Sequence, residues 1–295
     1  MNYSSNRRIF LLAALSIPFS VAHTSRATER QDTLSAMAQL EELKRESGGR
    51  LGVFALNTAN GERLAYRADE RFPMCSTFKV LAASAILARS VQEPELMQQL
   101  VRYQQSDLVD YSPITEKHVA DGMTVAGLCA AGLQYSDNTA GNLLIKILGG
   151  PEAVTAFARS IGDTEFRLDR WETALNTSIP GDPRDTSTPR AMGHSLQRLI
   201  LGDALPARQR EYLWAWLLGN TTGAARIKAG IPTDWKIGDK TGGGQYGTAN
   251  DVAVLWPPER EPVVVAIHTT QSQKDSRARN DVVASAARIV VNWLG

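Results

Sequence analysis

The pattern of apolar and polar positions changes character as the chain proceeds. Leu34, Met37, Leu40 and Leu43 recur at helical spacing and predict one amphipathic helix over Leu34–Glu46. Directly afterwards Leu51, Val53 and Ala55, then Leu64 and Tyr66, alternate at the strand period on either side of Asn60-Gly61. Both of those residues tolerate positive φ, so the segment predicts a tight β-hairpin. From Ser76 to about Leu218 the alternation nearly vanishes. Ser76–Arg89, Thr124–Leu133, Thr139–Leu148 and Glu152–Ile161 read as helices separated by Pro and Gly breaks. Extended patterning returns in Lys236–Thr241, Thr248–Trp256 and Pro262–Thr270, and Asp281–Trp293 reads as a closing helix.

Strands at both ends with helices between them predict an α/β (α+β) chain. Its two ends join in one antiparallel sheet covered by terminal helices, and a helical domain is inserted between them. The boundary between two such parts is a natural place for a cleft.

Composition narrows the partners. With 295 residues, 43% of them hydrophobic, the chain can bury a sizeable core. Its 32 Lys and Arg against 31 Asp and Glu give a net charge of +1, which argues against nucleic acid or an anionic membrane and for a small-molecule partner. Arg7 and Arg8 precede an apolar run, Ile9–Val21, too short to span a bilayer; this predicts a signal peptide over 1–27. Cleavage is expected after Ala22 or Ala27. Asn6-Arg7-Arg8-Ile9-Phe10-Leu11 partly matches a twin-arginine signal, and a Sec-type signal explains it equally well. The mature protein is then soluble and outside the cytoplasm. Cys75 and Cys129 are the two cysteines, and an oxidising compartment would permit a disulfide between them. His23, His118, His194 and His268 have no metal-ligand spacing, so no metal or other cofactor is expected.

Three short motifs carry candidate chemistry. Ser76-Thr77-Phe78-Lys79 places a serine and a lysine three residues apart at a helix start, on one face. A serine hydroxyl needs a neighbouring base to become nucleophilic, and a desolvated lysine can share that task while helix-end N–H groups stabilise negative charge. Ser136-Asp137-Asn138 lies between two predicted helices, where such residues ordinarily cap and turn. Functionally, Ser136 offers a proton-shuttling hydroxyl and Asn138 an amide for a substrate carbonyl. Lys240-Thr241-Gly242 ends a strand-like run and enters Gly243-Gly244, where Lys240 and Thr241 could hold an anion. A hairpin turn with a solvated lysine is the ordinary alternative.

The order and separation of these motifs resemble the class A β-lactamases, serine enzymes that open the β-lactam ring. A fourth stretch, Glu172-Thr173-Ala174-Leu175-Asn176 within 170–185, is similar to that family's Ω-loop. The resemblance spans nearly the whole mature chain. It implies a five-stranded antiparallel sheet with flanking helices, built from 28–68 and 219–295, and an all-helical domain over 69–218. It implies hydrolysis of penicillins and cephalosporins, by a monomer exported to the periplasm. Residue by residue, it makes Ser76 the acylated nucleophile and Lys79 a proton-transfer group. Ser136 passes the proton to the leaving nitrogen, and Glu172, helped by Asn176, activates the hydrolytic water. Ser76 and Gly243 supply the oxyanion N–H groups, and Lys240 and Thr241 bind the substrate carboxylate. Whether Lys79 or Glu172 is the acylation base stays open.

The resemblance also gives Arg226 a place against the substrate carboxylate, with Arg277 and Arg279 as rivals and a solvated helix-end arginine as the ordinary reading. Tyr111 matches an aromatic residue at the cleft rim, and Arg170 with Asp185 matches a pair that closes the Ω-loop. Cys75 sits where carbapenem-hydrolysing members carry one half of a disulfide, but the partner position matches Gly244. Cys129 resembles one half of another family disulfide whose partner position matches Ala83, so neither bridge is expected and carbapenem activity stays open. Gly243 replaces the usual Ser, Thr or Ala. Three other kinds of protein share part of this pattern: a penicillin-binding peptidase, a membrane-anchored β-lactam sensor and a serine glutaminase. Glu172 and Asn176 argue against the first, the absence of an anchor beyond the signal against the second, and the Ω-loop carboxylate against the third.

Overall fold

The computed structural model describes the backbone of residues 21–295 and the side chains of residues 30–295. The predicted signal therefore lies mostly outside the described residues, and both expected cleavage points fall in the first turns of helix α1 (Val21–Ser47). That helix contains the expected Leu34–Glu46 segment, but its buried stripe differs. Leu34 is 58% exposed, whereas Ala36 and Leu40 are buried and Met37 and Leu43 half-buried. Small Ala36 brings the helix close to the sheet, which turns Leu34 outward.

The hairpin forms from β1 (Arg50–Asn57) and β2 (Arg63–Tyr66), paired antiparallel with Ala55 opposite Leu64. Its turn is looser than expected. Only Gly61 takes a positive φ, 77°, and the Gly61 N–H donates to the Asn57 carbonyl across 2.9 Å, so the loop runs over 58–62 rather than pivoting on Asn60-Gly61 alone. The helices follow as α2 (Lys79–Arg89), α3 (Val125–Gln134), α4 (Asn138–Leu148), α5 (Pro151–Ser160), α6 (Pro189–Ile200) and α7 (Ala207–Leu218). Then come β3 (Lys236–Gly244), β4 (Thr248–Trp256), β5 (Val263–Thr270) and α8 (Asn280–Trp293). Helix-cap chemistry sets several of these starts. Thr124, Asp137 and Thr188 each accept a backbone N–H through the side chain, and Pro151 and Pro189 occupy first-turn positions that need no donor.

The sheet order is β2-β1-β5-β4-β3, antiparallel throughout, so the N-terminal hairpin and the C-terminal meander share one sheet. Both faces are covered. Leu51, Val53 and Ala55 pack with Val265, Ile267 and α1 and α8 on one side. Phe54, Val252, Val254 and Val264 join the core of α2 to α7 on the other. Because β3 is an edge strand, its last residues face the helical part, and the chemistry-bearing residues gather there.

Candidate active site

Ser76 lies in a single 3₁₀ turn, Cys75–Phe78, that leads into α2, rather than in the helix itself. Cys75 enters this turn at φ 47°, and Asn250 of β4 ties it down by donating Nδ2 to the carbonyls of Pro73 and Met74 at 2.7 and 3.1 Å. The glycines of β3 let the strand approach. A Cβ on Gly242 would stand 2.5 Å from the Met74 carbonyl oxygen, too close for any side chain.

Lys79 begins α2 with its side chain wholly buried. Its Nζ donates to Ser76 Oγ at 2.7 Å, to Asn138 Oδ1 at 2.8 Å and to the Ser136 carbonyl at 3.0 Å, and it pairs with Glu172 Oε1 at 2.9 Å. Ser76 Oγ donates to the same Glu172 oxygen at 3.2 Å. The serine proton thus has a carboxylate within reach, and the ammonium and carboxylate neutralise each other in a site without water's screening.

Ser136 takes φ 59°, a conformation imposed from below by Asp137. That carboxylate accepts from the N–H of Ala140, Ile114 and Thr115 and from the Thr115 hydroxyl, all within 3.0 Å. The capping role expected of this motif belongs to Asp137, which frees Ser136 and Asn138 for the site. Lys240, far from the solvated alternative, is fully buried and donates to Ser136 Oγ at 3.0 Å and to the Thr241 carbonyl at 2.7 Å. Burial and then the nearby Lys79 charge push its pKa well below the ordinary lysine value, while Asp239 opposes them.

Glu172 is held from three sides. Asn176 Nδ2 donates to its Oε2 at 2.5 Å, and Asn142 both accepts from its N–H at 2.8 Å and donates to its carbonyl at 2.9 Å. Sequence reasoning missed Asn142, although it stands four residues after Asn138 and therefore on the same face of α4. The Ω-loop is closed by Arg170 Nε on Asp185 Oδ2 at 2.5 Å, and buried Asp185 also accepts the N–H groups of Asp169 and Arg170.

The remaining candidates lie around this centre. Arg226 is no solvated helix end. Its Nη1 donates to the Gly242 and Asn250 carbonyls at 2.7 and 2.6 Å and its Nε to Asn280, so it braces the end of β3. Arg277 is exposed and Arg279 pairs with Asp281. Tyr111 is exposed at the rim with φ 63°, and its carbonyl accepts the Asn138 N–H. A Cβ on Gly243 would meet nothing closer than Arg226 Nη2 at 3.6 Å, so that position is open to solvent or ligand. The strand expected to stop at Thr241 runs on to Gly244, because Gly242–Gly244 pair with Thr248–Asn250. Cys75 and Cys129 are both free and buried, and burial pushes the Cys75 thiol up to about 12. A Cβ at Gly244 would lie 2.7 Å from Cys75 Sγ, which places that glycine where a bridging partner would sit.

A five-stranded antiparallel sheet with a buried serine, lysine and carboxylate at its edge defines a serine hydrolase. Residues 35–294 match the model of the Beta-lactamase enzyme family. β-Lactamase OXY-1 of Klebsiella oxytoca is 53% identical over 291 residues, 99% of each chain. The carbapenem-hydrolyzing β-lactamase KPC, also from K. oxytoca, is 52% identical over 98% of this chain and 97% of its own. A solved variant of the last common ancestor of Gram-negative class A β-lactamases superposes with a TM-score of 0.86 at 58% identity, covering 88% of this chain and 98% of that one. The chain belongs to the class A β-lactamase family, and it hydrolyses β-lactams.

Proposed function

We propose that Ser76 is acylated by the β-lactam carbonyl and that Glu172 activates the water that releases the product. The observation that carries this reading is the cluster in which Lys79 Nζ lies 2.7 Å from Ser76 Oγ and 2.9 Å from Glu172 Oε1. The Ser76 proton passes into this cluster as its Oγ attacks. Ser136 Oγ, on Lys240 Nζ, then protonates the leaving nitrogen. The N–H groups of Ser76 and Gly243 receive the developing oxyanion, worth about 3–4 kcal/mol per donor in such sites. Lys240 and Thr241 bind the substrate carboxylate with Arg226 behind them, Asn138 takes a substrate amide carbonyl, and Tyr111 borders the entrance. With the acyl ester shielded, only a water held by Glu172 and Asn176 is placed to hydrolyse it.

The same reading makes 28–68 and 219–295 one domain and 69–218 another. It also makes the protein an exported, periplasmic monomer acting on penicillins and cephalosporins. Arg7-Arg8 and the apolar run after them support export, and no helix among the described residues is long and apolar enough to cross a membrane. The test is intact-mass analysis with benzylpenicillin. Ser76→Ala should show neither adduct nor turnover, and Glu172→Ala should accumulate a stoichiometric acyl-enzyme. Normal turnover without adduct in the second variant removes Glu172 from deacylation. Parallel rates with a cephalosporin and a carbapenem fix the spectrum.

A further inference from the structure

Behind the Lys240-Thr241 edge, a run of hydrogen bonds leads from two buried acids to the Thr241 hydroxyl, and each proton in it can be assigned by elimination. The Thr222 N–H can only donate, and its partner 2.9 Å away on Asn220 is therefore Oδ1. Asn220 Nδ2 is then the atom 2.5 Å from Asp239 Oδ2, which must accept. Asp239 and Asp251 lie diagonally across the Thr241–Asp251 pair on one face of β3 and β4, with both carboxyl groups buried. Two carboxylates so placed on one buried face repel each other when both are ionised, which favours a proton on one of them. Asp251 Oδ2 accepts the Ile227 N–H at 3.1 Å, while buried Asp251 Oδ1 has no hydrogen-bond partner. A proton on Oδ1 gives that unpartnered atom a donor to offer Asp239.

The other end follows the same logic. Thr222 Oγ1 lies 2.8 Å from Asn220 Oδ1, an acceptor only, so this contact and the one to Thr241 are both hydrogen bonds only when the single Thr222 hydroxyl proton goes to Asn220. Thr222 Oγ1 is also 2.5 Å from Thr241 Oγ1, and in the arrangement that satisfies both contacts it accepts. In the free enzyme the Thr241 hydroxyl therefore donates inward.

We propose that Asp251, Asp239, Asn220 and Thr222 form a positioning relay, held by one shared proton, that keeps the Thr241 O–H on Thr222 until a substrate carboxylate draws it away. The proposal rests on the reading of Thr241 as a carboxylate donor. Lys240 on the same strand and Arg226 and Lys228 in the segment before it are the cations that face the acid pair. Burial still raises both carboxyls above the ordinary range, and for Asp251 the Asp239 charge adds to it.

Thr222→Val removes the internal acceptor. KM for benzylpenicillin should fall roughly three- to tenfold, the worth of one neutral hydrogen bond, with kcat unchanged, and Thr222→Ser should restore the original KM. Thr241→Val, measured alongside, should raise KM. If it does not, Thr241 is no carboxylate donor and both readings fall. If it does, while Thr222→Val leaves KM unchanged or raises it, the relay alone is overturned. The shared proton has its own readout, since Asn at position 251 can accept from Ile227 N–H and donate to Asp239 permanently. The raised carboxyl contributes stability at low pH that is lost as pH rises through its folded value. Asp251→Asn should therefore keep the wild-type Tm near pH 5 and lose less of it than wild type on going to pH 9. Parallel Tm curves, or an Asp251→Asn protein destabilised at every pH, overturn the proton assignment.

Discussion

His268 illustrates how much a single residue can be governed by its surroundings. It lies on β5, wholly buried, with its ring edge-on to Phe72 at 5.9 Å and neither ring nitrogen hydrogen-bonded. Desolvation disfavours the imidazolium and lowers the pKa to about 3. The unfolded chain takes up this proton near the ordinary value of about 6.5, and the folded protein does not. Stability is therefore complete above that pH and falls as pH drops from about 6.5 toward 3, by about 2 kcal/mol at pH 5. Urea melts at pH 7 and pH 5 should show His268→Leu losing less stability on acidification than wild type. An equal loss in both would mean that carboxylates elsewhere account for all of it. The same residue-level logic separates Asp137 from its neighbours: its burial and backbone donors make it the structural member of the Ser136-Asp137-Asn138 motif.

At the level of elements, the Ω-loop depends on one ion pair. Asp185 is fully buried and Arg170 half-buried, and Asp185 also satisfies two backbone N–H groups. Asp185→Ala would leave the Arg170 charge without its counter-ion and both N–H groups without their acceptor, at a cost of about 3–5 kcal/mol. For a chain of this size that lowers Tm by about 10 °C, measured by thermal denaturation. Because Glu172 and Asn176 ride on this loop, deacylation should slow more than acylation in the same variant, as a longer-lived adduct in intact-mass time courses. Unchanged Tm and adduct lifetime would show that the backbone of the loop suffices to hold it.

Across the whole molecule, the sheet couples the chain ends to the site. Trp293 near the end of α8 is nearly buried and its Nε1 donates to Thr33 on α1 at 3.0 Å, so the two terminal helices lock over the face opposite the active site. Phe54 and Val264, on the other face, belong to the same core as α2, which carries Lys79. Trp293→Ala should cost about 3–5 kcal/mol, and tryptophan fluorescence and activity should be lost at one temperature, since no boundary isolates the site from the sheet. Loss of activity well before the fluorescence change would mean that the helical part melts separately from the sheet.

Much of this was legible in the order of residues. Hydrophobic period alone placed the strands and most helices near their observed bounds, because burial on one or both faces repeats with the local geometry of the backbone, but it gave no bounds for α6 and α7 and started α1 late. Chemistry confined to one short segment was legible too, as with Ser76 and Lys79, whose spacing of three brings them together in one turn. Contacts that depend on how segments meet were decided only by the tertiary structure. Leu34 proved exposed because the approach of α1 to the sheet favours Ala36. Asn142, Asn220 and Asp251 entered the site because α4, the segment before β3 and β4 converge there. Lys240 lost its solvent for the same reason: a strand edge that looks exposed in sequence is buried once Ser136 and Lys79 close over it. The sequence determined which residues carry charge and where the chain can turn, while packing determined which of those charges are desolvated and paired, and desolvation is what gives them their chemistry.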